Sequence, residues 1–239
     1  MMKTRFLREF FGHRDILITS IVFAAGVAFT LPHLNRAAVW EALVLGMVLY
    51  ALSEYLIHRF FFHLPPPKNP WLLRLLQRLH YHHHKNPDAL HLLFLPIWYS
   101  FPLVAAAAGI IYAISGDTVF TVAFTTGVLG YLLYYEWCHY VAHRPIQPIT
   151  PWGRWMKKMH LWHHFKNEQY WYGVTNPMFD MVLGTFKNER EADRSDTVRD
   201  LEKRSTRYDQ GVSGKSVREQ MLSRLSEESP TERRPGGKE

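Results

Sequence analysis

Four apolar runs, each about twenty residues long, constrain this fold more than any other feature of the sequence. They cover residues 16–31, 37–56, 92–114 and 119–137, and the only formally charged side chains within them are Glu41, Glu54 and Glu136. Away from water such a run must satisfy its own backbone N–H and C=O groups, so each is predicted to be a helix. Each also matches a hydrocarbon slab about 30 Å thick. Pro32, Pro65-Pro66-Pro67, the turn Ser115-Gly116-Asp117 and the prolines at 145, 148 and 151 separate or terminate them. The expected fold class is therefore an all-α integral membrane protein with four transmembrane helices. A basic start followed by an apolar run is also the pattern of a secretory signal peptide. Pro32 follows this run without an Ala-x-Ala site, so the run is read as the first span.

Charge fixes the direction of the spans. Residues 1–15 carry four Lys/Arg and residues 57–91 carry five, whereas the two opposite connectors hold only Arg36. By the positive-inside rule both termini are expected to face the cytoplasm, with spans two and four ending on that side. The formal net charge is +7, and residues 1–186 hold 15 Lys/Arg against 9 Asp/Glu. These basic residues flank apolar runs, which favours an anionic membrane surface over nucleic acid. Residues 187–239 hold 13 Lys/Arg against 12 Asp/Glu, with a short amphipathic hint at 217–225. They are read as a charged, mostly disordered tail behind a membrane domain of residues 1–186. The single cysteine, Cys138, excludes an internal disulfide framework and suits small-residue packing.

Ten of the 14 histidines fall in four short clusters: His58 and His63; His80, His83 and His84; His139 and His143; His160, His163 and His164. Any one of them could be an ordinary interfacial histidine. Four clusters, two with identical i, i+3, i+4 spacing, require a joint explanation. That spacing puts three imidazoles on one helix face, where they can converge on one point. Neutral imidazoles so arranged are transition-metal ligands. His58 and His63 are about 140° apart on an ideal helix, so both ligate only if the helix bends or ends there. Glu54, one turn before His58, could hold its second ring nitrogen. His82 points off the shared face and is excluded; His91 fits an outer or interfacial place. The charge-derived topology, read without the histidines, puts all four clusters at the cytoplasmic membrane edge, as a histidine-rich helical cap. The helix expected over 152–165 carries Trp152, Trp155, Met156, Met159 and Trp162 beside Lys157 and Lys158, a pattern suited to the membrane interface.

Ten nitrogen donors exceed the needs of one ion and suit two, with about five each and room for a further ligand. One cysteine cannot supply a thiolate-rich structural zinc site, and imidazole alone does not choose among iron, zinc, copper and nickel. The metal is chosen by a resemblance. The stretches HRFFFH, HYHHH, the His-x3-His pair and HLWHHF followed by YGVTNPMFDMVLGTF resemble the membrane-bound fatty acid hydroxylase and sterol desaturase superfamily, over about residues 50–186. HRFFFH and the closing segment lean towards its fatty acid hydroxylase branch. The resemblance implies a dinuclear iron centre, with zinc as a possible substitute, and dioxygen as co-substrate. The reaction would then be hydroxylation of a lipid acyl chain, with a fatty acid or ceramide-like substrate.

Electrons must come from elsewhere. No Gly-rich dinucleotide fingerprint follows a strand. Some relatives carry a fused b5-type domain with a His-Pro-Gly-Gly motif, whereas here Arg234 precedes Pro235-Gly236-Gly237. A separate electron-donor protein is expected. The membrane would be the inner membrane of a bacterium or the endoplasmic reticulum of a eukaryote. Three other readings stay open at this point: a sterol- or carotenoid-modifying oxygenase or desaturase with the same centre, a membrane metal carrier, and a scaffold with structural metals. A carrier calls for ionisable residues partway through the spans, and only Glu41 lies well inside one.

Overall fold

In the computed structural model, which describes residues 2–204, the chain is helical, and no strand occurs among the described residues. A short amphipathic helix, α1 (Met2–Phe11), leads into α2 (Arg14–Thr30). Next comes α3 (Ala37–Leu56), which runs on without a break into a π-helical turn, Ile57–Phe62. The segment expected as one helix over 72–84 is helical but interrupted: α4 (Pro70–Leu76), a π-helical turn at Gln77–Tyr81, then α5 (His82–Lys85). After α6 (Leu90–Leu93) come two long helices, α7 (Ile97–Ser115) and α8 (Thr118–His143). The described chain is completed by α9 (Pro151–Phe165), α10 (Met178–Val182) and an irregular segment to Arg204.

Four stretches are long and apolar enough to cross a membrane: Arg14–His33, Ala37–Phe62, Leu90–Ser115 and Thr118–His143. The four spans make this a multi-pass membrane protein, as the sequence predicts. Large apolar side chains such as Ile21, Val44, Val48, Ile110 and Ile114 remain exposed, as lipid-facing positions must. The centre of the bundle is α8, against which α2, α3 and α7 all pack. Glycines set the tightest crossing. A Cβ on Gly127 would strike the carbonyl oxygen of Leu43, and one on Gly46 would strike that of Phe124. Close backbone approach through small residues is the usual basis of helix association where lipid removes the hydrophobic drive.

The turns fix the ends of the bundle. Gly116 has φ +62° and closes α7, and Asp117 caps α8 by accepting from the N–H groups of Val119 and Phe120. Asp117 also takes Arg36 Nη2 at 2.5 Å, which joins the two short connectors at one end of the bundle. The histidine-bearing segments lie at the other end. Glu136, inside α8, is buried and accepts from the backbone N–H of Leu95 at 3.0 Å. Glu41 is exposed near the start of α3, a boundary position.

Two sequence expectations change on packing. The interfacial reading of α9 holds for only part of it: Trp152 is exposed, but Met156 and Met159 are buried against Trp171 and Ala192. Apolar burial also continues past Phe186, the expected end of the folded domain. Ala192, Val198 and Leu201 are buried, Leu201 against Leu76 and Tyr81. Such sparse apolar residues leave no periodic trace in a charged segment. The remainder of the expected tail, including residues 217–225 and 235–237, lies outside the described residues.

Candidate metal centre

The centre is built from backbone irregularities. In a π-helical turn hydrogen bonds run from i to i+5, which draws residues five apart towards one face. The turn at Ile57–Phe62 does this for His58 and for His63, where the helix ends. The bend that the sequence required for both to point together is present.

All ten clustered histidines are buried, and their ring nitrogens form two groups of five. One comprises His58, His63, His80, His84 and His163; the other His83, His139, His143, His160 and His164. Within each group the candidate ligand atoms all lie within 4.8 Å of one another. The expectation that each i, i+3, i+4 triplet meets at a single point is corrected here. His80 and His84 turn to the first group and His83 to the second, whereas His160 and His164 turn to the second and His163 to the first. Successive residues on a helix diverge by about 100°, so positions i+3 and i+4 serve two adjacent points more naturally than one. His82 is half-buried and His91 exposed, and both lie outside the groups, as does Cys138, which packs against Leu129, Leu132 and Tyr135.

The spacing of the nitrogens fits a common ion. In the first group Nε2 of His80 lies 2.8 Å from His63, 3.0 Å from His84 and 3.3 Å from His58, and His63 lies 3.1 Å from His163. In the second, His139–His83 and His143–His160 are each 2.9 Å apart. Two nitrogens bound to one ion at about 2.05 Å are separated by about 2.9 Å at a right angle and about 3.3 Å at the tetrahedral angle. Three second ring nitrogens are fixed by backbone carbonyls. Nδ1 of His58 donates to Tyr172 O at 2.5 Å, that of His163 to Tyr170 O at 2.7 Å and that of His84 to Val198 O at 2.8 Å. A proton held on Nδ1 leaves the Nε2 lone pair free for a metal. Burial, reinforced by neighbouring imidazoles, holds His80, His83, His160, His163 and His164 well below the usual histidine range. Burial also brings His84 down to about 3. At neutral pH these rings are uncharged and competent to ligate.

The loop after α9 locks this arrangement. Between the two accepting carbonyls, Trp171 has φ +58°, a left-handed conformation that costs a bulky residue about 1–3 kcal/mol. Its buried ring, its amide bond to Thr185 O and its indole bond to Lys187 O keep it there. Buried Asp180 accepts from the N–H groups of Tyr172 and Gly173 and from Thr185 Oγ1. A Cβ on Gly173 would collide with Asn176 O, so the loop requires glycine there. Glu54 does not hold His58, contrary to expectation. It accepts instead from Val174 N at 2.7 Å, Thr175 N at 3.0 Å and Thr175 Oγ1 at 2.5 Å. Three close donors from the loop claim its oxygens, and Tyr172 O already occupies the His58 nitrogen. The carbonyls of Tyr170, Tyr172 and Val198 were invisible to sequence reasoning, since any residue supplies one.

An apolar cavity of about 300 Å³ meets this centre from the bilayer side. His58 and Phe62 line its upper end, and the Phe62 ring stacks on His80 with centroids 5.3 Å apart. Leu49, Ala107, Phe124 and Val128 line its far end, within the spans. From His58 to Leu49 it follows α3 for about 14 Å at the helical rise. Its walls come from α3, α7 and α8, and α3 and α7 both pack on α8.

Comparison with known proteins accords with this architecture. A family model described as fatty acid hydroxylase matches residues 43–185. Fatty acid 2-hydroxylase of Rattus norvegicus is 37% identical over 152 residues, covering 63% of this chain and 40% of that protein. Dihydroceramide fatty acyl 2-hydroxylase FAH1 of Arabidopsis thaliana is 36% identical over 143 residues, covering 59% of each. The chain thus spans only part of the length of these relatives. A solved structure described as full-length scs7p, with only the hydroxylase domain visible, superposes with a TM-score of 0.67 at 28% identity. That match covers 75% of this chain and 67% of that one. With a match over more than half its length and the two histidine groups in place, the chain belongs to the fatty acid hydroxylase family.

Proposed function

We propose that this protein hydroxylates the acyl chain of a membrane lipid, a fatty acid or a ceramide-like substrate, using two metal ions held by its ten clustered histidines. The observation that carries the reading is the position of His58, which belongs to one histidine group and also lines the end of an apolar, bilayer-facing cavity. Iron is the proposed working metal, because the reaction is redox chemistry and zinc has none to offer. Two iron ions would supply the activation of dioxygen, with one oxygen atom entering a C–H bond and the other leaving as water. The chain's own contributions are separate from that chemistry. The histidines fix two adjacent positions, and the Tyr170 and Tyr172 carbonyls orient two of the rings. The cavity walls exclude water and hold a chain in line with His58.

The cavity also bears on where oxidation falls. It starts at the polar edge of the bundle and runs into the spans, so a lipid tail directed down it keeps its headgroup near the metals. Reaction close to the headgroup accords with the names of both relatives, which are 2-hydroxylases. Those names also favour hydroxylation over desaturation or sterol chemistry. The carrier reading loses support, since the carboxylates of Glu54 and Glu136 are engaged by backbone N–H groups. We further propose that the histidine end and both termini are cytoplasmic, and that a separate protein delivers the electrons.

The test is paired metal analysis and lipid analysis. Iron-loaded protein in vesicles, with a reductant protein supplied, is expected to hold about two ions per chain and to accumulate 2-hydroxyacyl lipid in proportion to iron. Full turnover by an iron-free, zinc-loaded preparation would refute the mechanism, and one ion per chain would refute the dinuclear site.

A further inference from the structure

The segment after the family-matched region, residues 193–204, does more than continue the chain. It crosses the outside of the histidine cap and is tied down along its length. Asn167 Nδ2 donates to Asp193 O at 2.9 Å and Ser195 N to Lys166 O at 2.8 Å. Thr197 Oγ1 donates to Glu168 Oε1 at 2.6 Å, and the Arg204 guanidinium lies 3.4 Å from the same oxygen. Arg199 Nη2 donates to Lys85 O, while Lys85 Nζ pairs with Asp200 and Glu202. Leu201 is fully buried in a pocket with Leu76 and Tyr81.

Two of its hydrogen bonds reach metal-facing residues, and both go to the same group. Val198 O takes Nδ1 of His84 at 2.8 Å, and Arg204 Nη1 donates to the backbone O of His63 at 2.9 Å. His84 and His63 belong to the first group. Three Nδ1 atoms of the first group meet carbonyls and that of His63 is buried without a hydrogen-bond partner, whereas in the second group Nδ1 of His83, His160 and His164 is buried without one. Outer hydrogen bonds to metal-bound histidine each affect metal affinity about 10–100-fold, because they fix ring angle and tautomer. The two positions are therefore supported unequally, and the C-terminal segment supports only one of them directly.

Resting on the ligand assignment above, we propose that residues 193–204 are a positioning strap for the first metal position. Releasing the strap loosens the ion held by His58, His63, His80, His84 and His163 and leaves the other ion in place. Thr197, Leu201 and Arg204 are its positioning residues: they seat the segment so that the Val198 carbonyl meets His84. Glu168, fully buried, is the anchor that Thr197 and Arg204 share.

The test uses the full chain and equilibrium zinc binding, read as ions per chain at fixed free zinc. Leu201→Ala with Arg204→Ala is expected to lower the count from two to one. The second ion should return when free zinc is raised about 10–100-fold, in line with the effect of an outer partner. Thr197→Val, which keeps side-chain volume and removes only the hydroxyl, is expected to shift the same ion by a smaller factor. Site identity comes from backgrounds that each lack one position. With His83→Ala the strap substitutions should remove the remaining ion; with His84→Ala they should change nothing. The retained ion doubles as a check that the variant is folded. Equal weakening of both positions, or unchanged binding in the His83→Ala background, overturns the strap. A wild-type chain with fewer than two ions would overturn the ligand assignment itself, and the strap with it.

Discussion

Replacing Glu54 by alanine is expected to be among the most damaging single substitutions outside the histidines. Its carboxylate accepts from Val174 N, Thr175 N and Thr175 Oγ1, all in buried surroundings. Alanine leaves two backbone N–H groups buried and unpaired, at about 1–3 kcal/mol each. The hydroxyl can rotate, so its loss adds little, but the cavity left by the side chain adds to the total. The expected cost is about 3–6 kcal/mol. Glu54→Gln keeps an oxygen for the two N–H groups, and its NH2 can donate to the Thr175 hydroxyl. Only charge assistance is lost, at about 1–2 kcal/mol. At about 2–4 °C per kcal/mol for a chain of this size, alanine should lower the melting temperature by roughly 10 °C and glutamine by a few degrees. Thermal unfolding of metal-free protein in detergent is the assay, since bound metal would mask the difference. The loop that Glu54 anchors also supplies the Tyr172 carbonyl to His58, so Glu54→Ala should weaken the first metal position as well. Equal stability of the alanine variant and the parent would refute the reasoning, as would a glutamine variant worse than alanine.

Among the histidines, His83→Ala is expected to leave one ion per chain and abolish hydroxylation, whereas His82→Ala keeps two ions and most activity; the reverse pattern would invalidate the grouping. Ala107→Phe fills the far end of the cavity and should shift the accepted acyl chains towards shorter ones with metal content unchanged, as read by lipid mass spectrometry on a mixed-chain substrate. For pH, the buried histidines outside the spans, including His84 at about 3, have folded values below the unfolded value of about 6.5. Below about pH 6.5 the unfolded chain binds protons that the folded chain refuses, so metal-free stability should fall as pH drops, by up to about 1.4 kcal/mol per pH unit for each such histidine. Stability in metal-free detergent solution that rises on acidification from pH 6.5 to 5 would contradict this. Reporter fusions at the Arg36 connector and after Glu239 should report opposite sides of the membrane, and a shared side would remove the proposed topology.

The sequence by itself determined the four spans, because hydropathy over about twenty residues depends only on local composition. It also marked out the histidines that the fold gathers: the ten clustered residues all fall within the two groups, and His82 and His91 fall outside them. Periodicity carries that much, since spacing along a helix decides which rings share a face. It could not apportion His83 and His84 to different groups. That division depends on how the segment from α4 to α5 crosses α8 and α9, and on two π-helical turns with no fixed sequence signature. Glu54 shows the same limit. Proximity along α3 pointed it at His58, but the fold brings a loop more than a hundred residues away whose N–H groups fill its oxygens first. Backbone carbonyls at Tyr170, Tyr172 and Val198 complete the site without any side-chain identity to read. The strap was missed for a related reason: its anchoring depends on one leucine, one threonine and one arginine spaced irregularly in a charged stretch. Local chemistry therefore picked out the candidate ligands, and tertiary packing decided which of the two groups each one joins.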